Sequence, residues 1–191
     1  MKLIYEKINK NNINLAAKVQ YEIFPNSSAY IKYLKQVKSN KKIPVDYLVY
    51  YKLKPIGIIG LYELEKDDES IWLSYFGLLK KYRKKGYGKK MFDDIIELAK
   101  TYNKKYLRLY TYEVWNSDAQ NFYKKHMQFE EYYTNKNDNQ IDILKGKPKV
   151  FSYSLTGDKI KAWNDKYIVL DLDDEDHFKS VKLMIKDNII K

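Results

Sequence analysis

Two glycines set inside a block of cations constrain this chain more than any other feature of its sequence. The stretch YRKKGYGKK, residues 82–90, places Gly86 and Gly88 one residue apart in a chain with seven glycines. A strand pattern, WLSYFGLL, precedes it, and an amphipathic helix pattern, MFDDIIELAK, follows it. The first amides of a helix have no partner inside the helix, and glycine lets an anion approach the backbone closely. The stretch therefore predicts a phosphate-binding turn, to which the surrounding Lys and Arg add positive charge.

Two familiar phosphate loops do not fit the spacing of this turn. A Walker loop has four residues between its glycines and a Ser or Thr after its Lys, whereas Lys90 follows Lys89 here. The dinucleotide fingerprint requires a third glycine at the position that Met91 occupies. The turn is therefore expected to serve a different phosphate ligand.

The periodicity of the chain predicts an α/β (α+β) fold, with a mixed, mostly antiparallel central sheet flanked by helices. Runs rich in Tyr, Ile, Val and Leu predict strands, and apolar residues spaced three and four apart predict helices. Asn11 or Asn12 is expected to cap the first helix. The predicted strands are 2–8, three within 46–79, 106–114, 129–134 and 150–155, and the predicted helices are 12–24, 28–38, 89–100 and 117–127.

The glycine turn also fits a known signature. Residues Arg83 to Gly88 follow the pattern Arg/Gln-x-x-Gly-x-Gly/Ala and resemble the acetyl-CoA loop of the GCN5-related N-acetyltransferase (GNAT) family. A second match to the family lies downstream and consists of Asn116, Ala119, Tyr123 and Phe129. Within it, Gln128 stands where the family usually has glycine. The order of strands extends the resemblance over residues 1–156, which are expected to form a GNAT acetyltransferase domain.

Residues 157–191 fall outside this pattern. They contain a strand candidate, KYIVLDL, and then a helix pattern that begins at the acidic DDED and carries Phe178, Val181 and Met184 on one face. An apolar face of this kind needs a covering surface. The segment is therefore expected to be a C-terminal strand–helix extension that serves as a lid or as the arm of a homodimer.

The resemblance implies that acetyl-CoA is the co-substrate and that a primary amine attacks its thioester directly in a ternary complex. The pantetheine arm would pair with the backbone of Phe76, Gly77, Leu78 and Leu79, and an N–H near Leu78 would stabilise the oxyanion. Asn116 would bond the pantetheine amide, and Tyr123 would be the general acid for the departing thiolate. The pyrophosphate would lie on the turn, at Arg83, Lys84, Lys85, Gly86, Tyr87, Gly88 and Lys89.

Structural interpretations stand beside these roles. Tyr123 is one of 20 tyrosines and fits a core position on a helix, and Asn116 fits a helix cap. Glu63 is the candidate general base, but a solvated glutamate at a strand end has the same signature. Some relatives carry a glutamate base where this chain has Trp72. Two alternatives to Glu63 therefore stay open: an ordered water acts as the base, or the acceptor amine binds already neutral.

The acceptor site is expected near the first two helices and the loop between the last two strands. A small amine or peptide amine is the expected acceptor, and an acceptor that bears a carboxylate also fits the positive charge. The residues assigned to acceptor binding are Tyr21, Glu22, Phe24 and Tyr30.

Composition limits the alternatives. The chain has a net charge of +11 and no cysteine, which excludes disulfides, thiolate metal sites and a cysteine nucleophile and fits a cytoplasmic protein. No metal site is expected from its two histidines, and no run of about 18 apolar residues predicts a membrane span.

A basic nucleic-acid-binding module is the alternative function, although no RNA-binding motif appears. A relative that binds CoA without catalysis is the third.

Overall fold

The computed structural model describes residues 1–25, 27–39, 42–64, 67–111, 117–132, 149–163 and 174–191. These ranges contain seven strands, five α-helices and one short 3-10 turn, Lys80–Tyr82. The strands are β1 (Ile4–Lys7), β2 (Val45–Tyr51), β3 (Lys54–Tyr62), β4 (Ser70–Leu78), β5 (Tyr106–Thr111), β6 (Phe129–Tyr132) and β7 (Lys149–Ser154). The helices are α1 (Ile13–Ile23), α2 (Ala29–Lys38), α3 (Tyr87–Lys100), α4 (Ser117–His126) and α5 (Asp174–Lys186).

The strands form one sheet in the order β1-β2-β3-β4-β5-β7-β6. β1 with β2, β2 with β3, β5 with β7 and β6 with β7 pair antiparallel, and β4 with β5 pair parallel. The predicted fold class, a mixed and mostly antiparallel sheet flanked by helices, is confirmed.

Two local predictions differ from the structure. Asn12 does precede α1, but its side chain accepts a hydrogen bond from Asn9 N–H and donates to Lys7 O instead of capping a helix amide. The third helix begins at Tyr87 and not at Lys89, because the glycine turn itself enters the helix. The strand candidate KYIVLDL lies outside the described residues.

The chain divides into two compact units. The first contains Met1–Tyr62, Ser74–Ile95 and Leu170–Lys191, and the second contains Glu63–Leu73 and Ile96–Val169. The C-terminal extension thus contributes residues to both units, and the predicted boundary at residue 156 stays a prediction.

The core of the first unit includes two apolar clusters of described residues. One joins α1, α2 and α5 through buried side chains, and the other joins α1 to β2 and β3. The first cluster contains Ile8, Ile13, Ala16, Ala17, Ala29, Tyr30, Tyr33 and Met184. The second contains Val19, Ile23, Leu48, Ile58 and Leu79. Burial of these faces supplies the main stabilisation of the unit.

The helix of the C-terminal extension is part of this core. Met184 is 3% exposed, and Val181 packs against the same cluster, whereas Phe178 is exposed. Ser180 Oγ accepts a hydrogen bond from the N–H of Ile31, 3.2 Å away, in the first turn of α2. Because Ser28, which precedes α2, makes no side-chain cap, Ser180 supplies from a distant part of the chain what a capping residue supplies locally.

The second unit is organised around a buried arginine on β5. Arg108 is 3% exposed, and its Nε donates to Ser70 Oγ at 2.9 Å while a terminal nitrogen donates to Lys161 O at 2.8 Å. The carboxylate of Glu131 lies 3.6 Å from the other terminal nitrogen. The charge-assisted bond to Lys161 O offsets part of the cost of burying a cation and attaches Lys161 to the sheet, and the Tyr106 hydroxyl donates to Lys159 O at 3.3 Å beside it.

We expect Ser180→Ala to lower the free energy of unfolding by about 1 kcal/mol, because it leaves a buried amide of α2 without its acceptor. Urea unfolding would measure the loss. Ile185→Ala, at a half-exposed position of the same helix, is the control and should change stability by less than about 0.5 kcal/mol. Equal effects of the two substitutions would contradict a capping role for Ser180.

Candidate functional site

The end of β4 is shaped by a close approach of backbone to α1. A Cβ built on Gly77 would lie 2.5 Å from Ile23 Cγ2 and 2.7 Å from Phe24 Cε2. A Cβ built on Gly57 of β3 would lie 2.3 Å from Gly77 O. Real side-chain atoms do not approach so closely, so both positions require glycine. The C-terminal half of β4 is therefore held between β3 and the end of α1.

The ladder between β4 and β5 is short. It covers the three pairs from Ser70–Tyr106 to Trp72–Arg108, although β4 continues to Leu78. The N–H of Leu79 donates to Ile56 O of β3 at 2.9 Å. Because successive N–H groups of a strand point to opposite edges, the N–H of Leu78 faces away from β3. The segment Phe76–Leu79 thus has one edge paired to β3 and the other directed elsewhere.

The glycine turn follows directly. Lys84 and Gly86 have positive φ values of 56° and 82°, and space around Gly86 is open, with no atom within 4 Å of a Cβ built there. The first hydrogen bond of α3 runs from Lys90 N–H to Gly86 O, at 3.1 Å. The N–H groups of Tyr87, Gly88 and Lys89 therefore have no partner inside the helix. Together with the helix dipole they form a place for an anion.

Several cations of the turn have partners within the protein. Arg83 Nε donates to Leu78 O at 2.9 Å, which ties the turn to the end of β4. Lys89 and Lys90 pair with Asp93 and Asp94, one helical turn further on. The exposed Lys85 and the remaining nitrogens of the exposed Arg83 add to the positive potential around the bare amides.

Aromatic rings hold the same turn against the sheet. The ring of Tyr87, the first residue of α3, lies 5.0 Å from the ring of Tyr51 at the end of β2. The ring of Tyr82 packs edge-on against the ring of Tyr87, with 5.9 Å between the centroids. Contacts of this geometry favour one orientation of the helix N-terminus.

Tyr123 belongs to the second unit, on α4. Its side chain is buried, and its ring lies 5.6 Å from that of Phe151 on β7. Burial raises the pKa of Tyr123 above its ordinary value, so the hydroxyl keeps its proton at neutral pH. Gln128, which replaces the expected glycine, accepts a hydrogen bond from Ser154 N–H at 2.9 Å and so fits between α4 and the sheet. Asn116 lies outside the described residues.

Glu63, the candidate base, follows β3 in the second unit. Its side chain is 46% exposed, and it pairs with Lys104 Nζ at 3.1 Å. This ion pair fits the interpretation of a solvated glutamate at a strand end.

The predicted acceptor residues separate into two groups. Glu22 is exposed and Tyr21 and Phe24 are partly buried, so these three remain accessible at the end of α1. Tyr30 is 4% exposed, and its hydroxyl donates to Asp187 Oδ2 at 2.7 Å. Burial and this carboxylate raise the pKa of Tyr30 to about 12. Tyr30 therefore attaches α2 to the C-terminal extension.

Two further residues line this region. The centroid of the Tyr75 ring lies 5.8 Å from that of the Phe24 ring and 5.6 Å from Lys32 Nζ. The sequence pattern assigned Tyr75 only to a strand, because its neighbours on α1 and α2 are more than 40 residues away. No local signal could have identified it.

A buried carboxylate was also missed. Asp46 on β2 is 6% exposed and accepts a hydrogen bond from Ser74 Oγ at 3.1 Å. Burial raises the pKa of Asp46 to about 7, and the Ser74 bond and the charge of Lys32 offset part of that rise. A single Asp in the run VDYLVYY is typical of an exposed strand position, so no local pattern indicated that Asp46 is buried.

Among the residues that the structure describes, no group of three or more His, Cys, Asp or Glu side chains is placed to hold a metal ion. Within the same ranges, no helix is long and apolar enough to cross a membrane.

Comparisons with known proteins agree on one family. The sequence profile of the Acetyltransferase (GNAT) family matches residues 12–129, more than half of the chain. A comparison with curated proteins finds no match.

Solved structures of similar fold are distant in sequence. The ribosomal-protein-S18-alanine N-acetyltransferase from Escherichia coli has a TM-score of 0.60 at 8% identity, covering 85% of this chain and 100% of that one. A spermidine N-acetyltransferase SpeG chimera from Vibrio cholerae and hSSAT has a TM-score of 0.64 at 15% identity, covering 81% and 96%. A GNAT acetyltransferase from Elizabethkingia anophelis with acetyl-CoA bound has a TM-score of 0.56 at 16% identity, covering 80% and 97%.

The pKa of Asp46 makes stability depend on pH. Between about pH 4 and pH 7 the folded protein binds a proton at Asp46 that the unfolded chain does not, so stability falls as the pH rises through this window. Asp46→Asn cannot ionise. It should therefore gain stability relative to the parent as the pH rises, by roughly 4 kcal/mol at most.

Urea unfolding at about pH 4.5 and about pH 8.5 would measure this difference. Asp158→Asn, at an exposed position of the second unit, is the control and should behave alike at both pH values. A stability difference for Asp46→Asn that does not change with pH would show that the carboxyl titrates normally.

Proposed function

The chain belongs to the GNAT acetyltransferase family, and from that premise we propose that it transfers the acetyl group of acetyl-CoA to a primary amine of a small molecule or peptide. The family supports acyl transfer in general. The observation that carries the finer proposal is the glycine turn, where three helix amides without helical partners follow a strand with one edge directed away from its neighbour.

The turn and the end of β4 would hold the two polar parts of the co-substrate. The pyrophosphate would accept hydrogen bonds from the amides of Tyr87, Gly88 and Lys89, because Gly86 leaves the approach open. The pantetheine arm would pair with the edge of Phe76–Leu79 that faces away from β3. One distant relative of the same fold contains acetyl-CoA, which supports this choice of ligand.

The proposed reaction is a direct attack. The amine nitrogen forms a bond to the thioester carbon, and the carbon–sulfur bond breaks, with charge developing on the carbonyl oxygen in between. The N–H of Leu78, which faces away from β3, would stabilise that oxyanion. Tyr123, whose raised pKa keeps it protonated, would give its proton to the thiolate. Glu63 stays the candidate base for the proton of the attacking amine, and the alternative is an acceptor amine that binds already neutral.

The acceptor would enter beside the end of α1. Glu22 is the exposed carboxylate of this region, and Tyr75 and Phe24 provide aromatic surface next to Lys32. A mixture of one carboxylate, one ammonium and aromatic rings suits a small acceptor that carries an amine. Spermidine, an alanine-terminated peptide and free glutamate form a panel that separates polyamine, peptide and acidic acceptors.

Binding is tested by calorimetric titration with acetyl-CoA. We expect Gly86→Glu to weaken binding at least about tenfold, because it places a negative charge at the helix N-terminus where the pyrophosphate would lie. Gly157→Glu is a matched control, since Gly157 also has a positive φ, 87°, and open space around it. Both variants carry the same backbone strain, so equal losses of affinity would refute the assignment of the turn.

Turnover is tested by the release of free CoA thiol with the acceptor panel. The chain contains no cysteine, so a thiol reagent detects only the product. Tyr123→Phe should lower kcat about 100-fold and leave KM for acetyl-CoA nearly unchanged. Tyr106→Phe, which also removes a buried hydroxyl from the second unit, should stay within about twofold. Unchanged turnover of Tyr123→Phe would remove its role as general acid.

A further inference from the structure

A buried polar network joins α2 to β4 through Asp46. Ser74 Oγ donates to Asp46 Oδ1 at 3.1 Å. With the Gln36 amide oriented so that its nitrogen faces the carboxylate, Gln36 donates to Asp46 Oδ2 at 2.8 Å and accepts from Asp46 N–H at 3.2 Å. Gln36 and Asp46 are each 6% exposed. All three residues belong to the first unit.

The sequence makes room for this carboxylate. Asp46 lies opposite Gly60 in the register of β2 and β3. A Cβ built on Gly60 would lie 1.9 Å from Asp46 Oδ1. Only glycine at this position lets the carboxylate extend across β3 to Ser74 on β4. The contact between Asp46 on β2 and Ser74 on β4 therefore depends on the glycine at position 60 of β3.

Ser74 lies at an irregular point of β4. Its hydroxyl contacts Asp46, while the ring of the next residue, Tyr75, contacts Phe24 and Lys32. Consecutive residues of a regular strand point to opposite faces, yet both of these side chains meet groups on the side of α1 and α2. Ser74 is partly exposed, and it precedes Tyr75, which contacts Phe24 in the region assigned to the acceptor.

We propose that Asp46 is a positioning residue for the transfer reaction and acts through Ser74, whose hydroxyl hydrogen it holds so that the oxygen accepts from the acceptor amine. This inference rests on the proposed function. The ionised carboxylate accepts the Ser74 hydrogen, which leaves the lone pairs of Ser74 Oγ for an N–H of the amine. The protonated carboxyl donates to Ser74 Oγ instead, which turns the Ser74 hydrogen outward onto the nitrogen lone pair that must attack.

The charge state that favours reaction is therefore the ionised one. Burial raises the pKa of Asp46 to about 7, so its state changes near neutral pH. The titratable groups that face it are Lys32 and Tyr33 of α2 and Tyr75 of β4, while β3 presents only Gly60. Lys32 favours ionisation, and the two tyrosines keep their protons because burial raises their pKa values.

The test is the pH profile of kcat/KM, with acetyl-CoA and the best acceptor of the panel, for the parent and Asp46→Asn. The asparagine amide can donate to Ser74 as the protonated carboxyl does. The two proteins should have similar rates at about pH 5.5, and the parent should be about fivefold faster at about pH 8.5. Titration of the amine itself affects both proteins equally and cancels in the ratio. Asp158→Asn should follow the parent at every pH.

Ser74→Ala distinguishes positioning from a structural role. Asp46→Asn in the Ser74→Ala background should change kcat/KM by less than about twofold at any pH, because the hydroxyl through which Asp46 acts is gone. A pH-independent ratio, or an undiminished effect in that background, would overturn the proposal while leaving acetyl transfer intact. If the parent transfers acetyl to no amine of the panel and binds no acetyl-CoA, the proposed function fails, and this inference fails with it. Ser74→Ala also provides the profile if Asp46→Asn does not fold, since it should reproduce the loss at high pH.

Discussion

The contact between the end of α1 and the bare backbone of β4 determines where everything else at the site can lie. Gly77 lets Ile23 and Phe24 rest directly on the strand, and Gly57 lets the neighbouring strand come close beneath it. Burial of apolar side chains then stabilises this arrangement. The 3-10 turn Lys80–Tyr82 begins two residues after β4 ends, and Arg83 Nε donates back to Leu78 O, so this contact also sets the position of the N-terminus of α3.

Residues of the C-terminal extension hold α2, beside the proposed acceptor region, and they lie outside the residues that the family profile matches. The match ends at residue 129, whereas Ser180 bonds the first turn of α2 and Asp187 bonds Tyr30. Both partners are on α2, the helix that also presents Gln36 to Asp46. The position of α2 thus depends on two parts of the chain that are far apart in sequence, and its polar contacts are partly or fully buried, where a lost bond costs more than at the surface.

Local patterns were enough to predict the strands and helices that the structure describes, while the anion-binding role of the glycine turn stays a prediction. Each of these follows from periodicity or from glycine next to a helix start, which neighbouring residues encode. The network of Gln36, Asp46 and Ser74 could not be predicted in this way, because its members lie on three elements and only the fold brings them together. The bond from Tyr30 to Asp187 could not be predicted for the same reason, because the two residues are 157 positions apart, and the assignment of Tyr30 to the acceptor site stays a prediction.

The central claim is that backbone amides at the start of α3 hold the phosphates of an acyl-CoA. Amide NMR of the nitrogen-15-labelled protein during addition of acetyl-CoA tests it most directly, because hydrogen bonds to phosphate shift the donor amides downfield. We expect the largest downfield shifts at Tyr87, Gly88 and Lys89, with smaller changes at Phe76–Leu79. Saturable binding that leaves these three amides unchanged would show that the phosphates bind elsewhere.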